Sequence, residues 1–322
     1  MGAYTIRRLL WIPVTVILTT IIVFLLVRFI PGNIIDLIAS EMGAQGQNID
    51  RAALMHMMGL DAPVYVQYGR WISGIFIHGS FGKSLTSQNP ITPMIAQRVP
   101  LTFELGLMAL LIGLIISLPI GIYSAIRQDS TPDYILRSIS ILLISVPSFW
   151  IGTMLILYSS IWFHWTPSMV YIPFIKNPMG NLGMMIIPAA ILGSQQTGST
   201  MRMTRTMMLE TLRQDYIRTA WSKGLSERIV VTRHAMKNAL IPVVTMVGSG
   251  IPSLVGGAVI IEQIFNLPGM GRLMMDALQT RDYPIISAVN VIMATIVIAN
   301  NLLIDLTYGW LDPRIHYKLK ML

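Results

Sequence analysis

The stretch from Leu9 to Val27 contains no charged residue. An apolar run of about 18 residues or more reads as a membrane span. Backbone placed in hydrocarbon must satisfy its own polar groups, and only helices and closed barrels do so. Five further stretches qualify with varying strength, at roughly 101–126, 135–162, 184–200, 240–264 and 285–310. At about 1.5 Å of rise per residue, each covers most or all of a core about 30 Å thick. Composition points the same way. Of 322 residues, 53% are hydrophobic and only 12% are charged, against about 25% charged in soluble domains. The runs predict an all-α, polytopic membrane protein with six transmembrane helices.

Arg7 and Arg8 precede the first run as a signal-peptide n-region would. The run exceeds the usual apolar length of about 7–15 residues and meets Arg28, Pro31 and Gly32 rather than a small-residue cleavage site. It reads as a retained helix. Cysteine is absent, which excludes a disulfide framework and a thiolate metal site. In such a chain the net charge of +8 reports topology rather than a nucleic-acid partner.

Positive charge marks the cytoplasmic side. With the N-terminus inside, the inner segments hold Arg7 and Arg8, then Arg127 and Arg137, then a cluster from Arg202 to Lys237, and finally Arg314, Lys318 and Lys320. The short outer loops hold only Lys176, Arg272 and Arg281. Both termini are expected inside a bacterial or archaeal cytoplasmic (inner) membrane, with lipid as a partner. The expected organisation is a first transmembrane helix over 1–30, an extended external segment over 31–94, a five-helix core over 95–310 and a cytoplasmic tail over 311–322. A cytoplasmic loop occupies 201–238. Within the external segment, Val64–Phe76 has helical apolar spacing and predicts a helix on the membrane surface, with Trp71 and the tyrosines near the headgroups. The polar piece around Gly43–Gln47 is expected to be mobile.

Most familiar chemistry is missing. GSFGKS at 79–84 resembles a phosphate loop, but the motif needs glycine where Ile77 stands, so a turn is expected. The histidines form no metal-binding spacing, and no G-x-S-x-G supports a hydrolase. No catalytic, cofactor or metal residue is predicted. Glu104 is expected in the first turn of the second span, and Glu262 and Asp305 near the ends of the fifth and sixth. Snorkelling or local pairing accounts for such positions more simply than an ion relay.

Two spans carry polar or small residues unsuited to lipid. The fourth ends in SQQTGST at 194–200, so Gln195 and Gln196 are expected to face a cavity or a partner helix. The fifth places Thr245, Ser249, Ser253 and Gly257 at four-residue intervals on one helix face. That stripe serves either ordinary helix packing or a pathway wall or subunit seam.

The basic cluster contains DYIRTAWSKGLSER at 215–228. Leu209, Leu212, Tyr216 and Ala220 form an apolar stripe, Gly224 suits a helix end, and Ser226 with Glu227 suits the start of another helix. A helix, a glycine break and a second helix are expected on the cytoplasmic face. Such an element either binds anionic lipid or docks a cytoplasmic protein.

The residue pattern favours docking. DYIRTAWSKGL resembles the cytoplasmic loop of ABC importer permeases, whose general form is E-A-A-x-x-x-G. Arg218 and Thr219 replace the first two letters, while Ala220 and Gly224 match. The general form continues with I-x-L-P ten residues after the glycine. This chain has RHAMKNALIP at 233–242 instead, a departure similar to the dipeptide, oligopeptide and nickel branch. FIPGN at 29–33, PSFWIG at 147–152, LPGMGR at 267–272, RDYP at 281–284 and LDPR at 311–314 follow in the same order as in that branch. The chain is similar to the first of its two permease subunits.

The resemblance implies a type I ABC importer permease architecture. It implies a coupling helix with Arg218, Thr219, Ala220, Lys223, Gly224, Leu225 and Ser226 at the contact with a cytoplasmic ATPase. The implied partners are a second, related permease, two ATPase subunits that bind ATP and magnesium, and an external binding protein. The implied cargo is a short peptide or a related solute, with nickel as the alternative within the branch. A membrane-embedded enzyme or an ion-coupled carrier is the alternative from another class.

Overall fold

The computed structural model describes residues 2–28, 55–56, 61–168 and 170–311. The Gly43–Gln47 piece, the FIPGN motif from residue 29 onward and the basic tail residues fall outside them. The described residues are helical throughout, apart from one isolated bridge between Lys83 and Pro90 and the connecting turns. The helices are α1 (Gly2–Arg28), α2 (Val64–His78), α3 (Ile91–Ile126), α4 (Thr131–Ser145), α5 (Ser148–Phe163) and α6 (Pro178–Leu212). Then come α7 (Asp215–Ser222), α8 (Glu227–Ile264), α9 (Met270–Gln279) and α10 (Tyr283–Leu311).

Among the described residues, four helices are long and apolar enough to cross a membrane: α1, α3, α8 and α10. The α4–α5 pair brings the number to 5 if it counts as one span. The straight crossing expected over 135–162 is in fact broken, with α4 and α5 bent by 95°. Pro147 is the cause. A residue before proline is pushed out of the helical region, and Val146 is extended at φ −90°, ψ 123°. The run at 184–200 lies in α6, which has 35 residues. Its length suffices, but Ser194, Gln195, Gln196 and Thr197 dilute its apolar character.

Helix α6 also runs on to Leu212, so Leu209 and Leu212 belong to it and not to the helix that carries Tyr216 and Ala220. The second helix expected after the glycine is not a separate piece. It is the start of α8, which continues unbroken into the membrane through a π-helical turn at Val230–Ala235.

Helices α3 and α6 make the closest pairing. A Cβ on Gly193 would lie 2.5 Å from the Ala109 carbonyl oxygen, and one on Gly121 2.8 Å from that of Met201. Ala109, Gly113, Ser117 and Gly121 recur every fourth residue along α3, so their face is narrow and backbones meet. Leu101, Leu105, Met185, Leu192 and Leu254 fill the core where α3, α6 and α8 converge. A second core joins Val27 of α1 to Ile91, Met270 and Val289.

Helix α2 forms as the spacing predicts, and its Tyr68 and Trp71 meet α1 while Tyr65 stays exposed. Tyr68 and Trp71 pack on Phe24 of α1, with ring centroids 5.2 and 5.6 Å away. The Tyr68 hydroxyl also hydrogen-bonds Thr20 at 2.9 Å. The GSFGKS stretch is an irregular connection with Gly79 and Gly82 at φ 60° and 84°, and the turn follows it at 85–87. Fully buried Asp282 anchors the end of this turn, accepting from the Ser84 hydroxyl at 2.5 Å and the Thr86 hydroxyl at 3.0 Å.

Candidate functional site

The basic segment folds as a capped elbow. Gly224 stands at φ 76°, a left-handed conformation that glycine adopts without steric cost. Its N–H donates to the Trp221 carbonyl at 2.9 Å, and the Leu225 N–H to the Ala220 carbonyl at 3.4 Å. These two bonds are the Schellman arrangement that ends a helix at glycine. Ser226 follows in extended conformation and opens α8, although its side chain makes no cap bond.

Helix α7 has two distinct faces. Ile217 and Ala220 are buried against Ala125, Met208, Val230, Val231 and Ala235. Arg218, Thr219, Lys223, Gly224 and Ser226 are exposed, and Leu225 is half-buried. Of the predicted contact residues, Ala220 therefore points inward. It seats the elbow on the bundle rather than presenting it, because a helix this short needs one face for its own core. Tyr216 fastens the other end, accepting from the Asn238 side-chain amide of α8 at 2.9 Å.

A cavity of about 710 Å³ lies between the α4–α5 bend, the middle of α6 and α8. Gln195, Gln196, Ser199, Ser253 and Gly257 line it, together with Pro147. The Gln195 amide reaches the Val146 carbonyl at 3.5 Å, the group freed where the helix breaks. Of the predicted pathway residues, Gln195, Gln196, Ser253 and Gly257 thus share one space. Thr245 and Ser249 lie elsewhere along α8, their hydroxyls turned back to the carbonyls of Ile241 and Met246.

The acidic residues meet expectation only in part. Glu104 is well inside α3, which begins at Ile91. It accepts a hydrogen bond from the Tyr171 hydroxyl at 2.8 Å. Burial, reinforced by that carboxylate, raises the Tyr171 phenol above its usual range. Glu262 does not snorkel. It is fully buried, accepting from Thr102 at 2.6 Å and from the Arg272 backbone N–H at 3.0 Å. It thereby caps the start of α9. A Cβ on Gly269 would collide with its carboxylate, which explains the first glycine of LPGMGR. Asp305 is locally paired, as expected, with Arg8 at 2.9 Å.

One site escaped sequence reasoning. Asp133, fully buried at the start of α4, is gripped by Arg205 of α6. It also accepts from the Ser124 hydroxyl of α3 and from the Asp129 N–H at 3.0 Å. Its sequence signal was an acid just after Ser130, which reads as an ordinary helix start. Among the described residues, no group of three or more acidic or histidine side chains could hold a metal ion.

Comparison with known proteins agrees with this arrangement. Residues 117–317 match the binding-protein-dependent transport system inner membrane component family, and residues 1–106 match its membrane-component N-terminal region. A putative peptide transport system permease protein of Brucella suis biovar 1 is 39% identical over 98% of this chain and 100% of its own. The oligopeptide transport system permease protein AppB of Bacillus subtilis is 38% identical, covering 98% of this chain and 100% of itself. The dipeptide transport system permease protein DppB of Escherichia coli K12 is 36% identical, over 98% and 99%. The crystal structure of an amino acid ABC transporter with histidines shares the fold at a TM-score of 0.50 and 14% identity, covering 67% of this chain and 93% of that one. The chain is therefore a member of the binding-protein-dependent transport system inner membrane component family, a multi-pass permease subunit of an ABC importer.

Proposed function

We propose that the chain forms half of the translocation pathway of an ATP-driven importer of short peptides. AppB and DppB, which it resembles along nearly its whole length, are oligopeptide and dipeptide permeases. An external binding protein delivers the peptide, and a second, related permease supplies the other half. ATP and magnesium reside on two cytoplasmic ATPase subunits. In this reading α6 and the bent α4–α5 pair each count as a crossing, which gives six spans in the type I arrangement with both termini cytoplasmic.

The observation that carries the reading is the elbow, with its buried seat and exposed basic face. A helix fixed on one side and capped at Gly224 moves as a rigid body. A push on Arg218, Thr219 and Lys223 reaches α8 through the Tyr216–Asn238 bond and the turn at 223–226. Helix α8 runs on to Ser253 and Gly257 in the cavity wall. Closure of the two ATPases thus moves one wall of the pathway, a rigid-body switch between inward- and outward-facing states.

The test is reconstitution of the whole transporter with its binding protein. Peptide-loaded binding protein should stimulate ATP hydrolysis and uptake. Stimulation by a nickel chelate and not by peptides would transfer the chain to the nickel branch. ATPase subunits that fail to co-purify with the wild-type permeases would overturn the coupling role.

A further inference from the structure

The end of α3 and the start of α4 enclose a hollow unlike the polar cavity. It is an apolar cleft of about 500 Å³, lined by Pro119, Ile120 and Tyr123 of α3 and by Pro132, Ile135 and Leu136 of α4. Tyr123 and Ile135 are 48% and 54% exposed, so the cleft is open. Arg127 closes α3 just beyond this lining. Its N–H donates to the Tyr123 carbonyl at 3.0 Å, which sets it one turn further along the same face of α3.

Arg127 is exposed, and no ion pair among the described residues includes it. The neighbouring acids are engaged elsewhere, Asp133 by Arg205 and Asp129 by the Gln128 side chain. The cleft also has a defined side. Ile122, Ala125 and Ile126 of the same α3 turns share one hydrophobic core with Ile217 and Ala220 of the elbow. On the topology proposed above, on which this inference rests, that side is cytoplasmic.

We propose that the cleft holds an acyl chain of an anionic phospholipid of the cytoplasmic leaflet, with Arg127 against the phosphate. An apolar slot followed along the helix by an exposed cation matches an amphiphile with a negative head. Basic groups between helices on this side of a membrane recognise such headgroups. A helix of the second permease is the competing occupant, and it would leave Arg127 without an anion. The bound lipid lies beside the core that seats the elbow, at the joint through which the ATPase push passes.

Native mass spectrometry of the whole transporter, exposed to equal amounts of phosphatidylglycerol and phosphatidylethanolamine, tests this. The wild type should retain phosphatidylglycerol preferentially. Arg127→Gln should lower that retention about fivefold, the worth of one basic group at an anionic surface, and leave phosphatidylethanolamine unchanged. Ile135→Trp, which fills the cleft from an exposed position, should reduce retention of both lipids. Equal retention of the two lipids by the wild type would overturn the proposal, as would an Arg127→Gln variant that matches it. Cross-linking of an Ile135→Cys variant to the second permease would show a protein occupant instead. ATPase subunits seen in the same spectra report separately on the importer reading.

Discussion

Arg205 meets Asp133 as a two-pronged clamp, with Nε 2.8 Å from Oδ1 and Nη2 2.7 Å from Oδ2. The two residues come from α6 and α4, and Ser124 adds a bond from α3. Three helices are thereby tied together beside the elbow. Removing Arg205 leaves the buried carboxylate only one cationic neighbour, its longer 3.6 Å contact with Arg137, and breaking a buried pair costs about 3–5 kcal/mol. Arg205→Met should lower the thermal midpoint of the purified transporter sharply. Arg205→Met combined with Asp133→Asn should recover most of the loss, since the buried charge is then gone. A single mutant as stable as wild type would show that the clamp does not hold the helices.

The elbow makes a sharper demand. Gly224→Trp leaves the buried face of α7 intact but places a large side chain in a left-handed position on the exposed one. Membrane insertion should persist while co-purification of the ATPase subunits is lost. Gly224→Ala should lower stability by only about 1 kcal/mol, the usual penalty of a Cβ in that conformation. Normal ATPase recovery with the tryptophan variant would remove α7 from the docking surface.

Close packing of α3 on α6 yields a paired prediction. Gly193→Val drives a side chain into the Ala109 carbonyl, whereas a Cβ on Gly106 of α3 would meet nothing within 4 Å. Overpacking costs about 1–3 kcal/mol and more where backbone opposes it. Gly193→Val should fail to accumulate as folded protein in membranes, and Gly106→Val should accumulate normally, as read by fluorescence-detected gel filtration.

Glu262 supplies a stability test outside the cavity lining. Glu262→Ala leaves the Arg272 N–H and the Thr102 hydroxyl facing an empty space. An orphaned buried donor costs about 1–3 kcal/mol. The variant should unfold at lower temperature, and Gly269→Ala should do the same by displacing the carboxylate. Unchanged melting of both would deny Glu262 its capping role.

The cavity wall is tested by transport. Gln195→Leu and Ser253→Ala remove hydrogen-bonding groups from the lining without adding bulk. Peptide uptake should fall several-fold with assembly and basal ATP hydrolysis unchanged, because neither group lies in a buried core. Wild-type uptake in both variants would exclude these side chains from the route.

The apolar runs alone determined that the chain is helical and membrane-embedded, because hydrocarbon leaves few other ways to satisfy a backbone. Basic clustering and Gly224 likewise marked the elbow in the sequence, since a left-handed helix end is a local property. Long-range pairing was not legible. Nothing near Asp133 names Arg205, and nothing near Glu262 names Thr102, because residues far apart in the chain meet only once the helices pack. The same holds for Ala220, whose place in the apolar stripe did not say which side of the elbow would be buried. It holds also for the cavity, which gathers Gln195, Gln196, Ser253 and Gly257 but not Thr245 and Ser249. Local sequence sets helix starts, stops and breaks. Which faces touch is decided by the tertiary packing of small residues such as Gly193 against Ala109, where backbone shape rather than side-chain identity governs the approach.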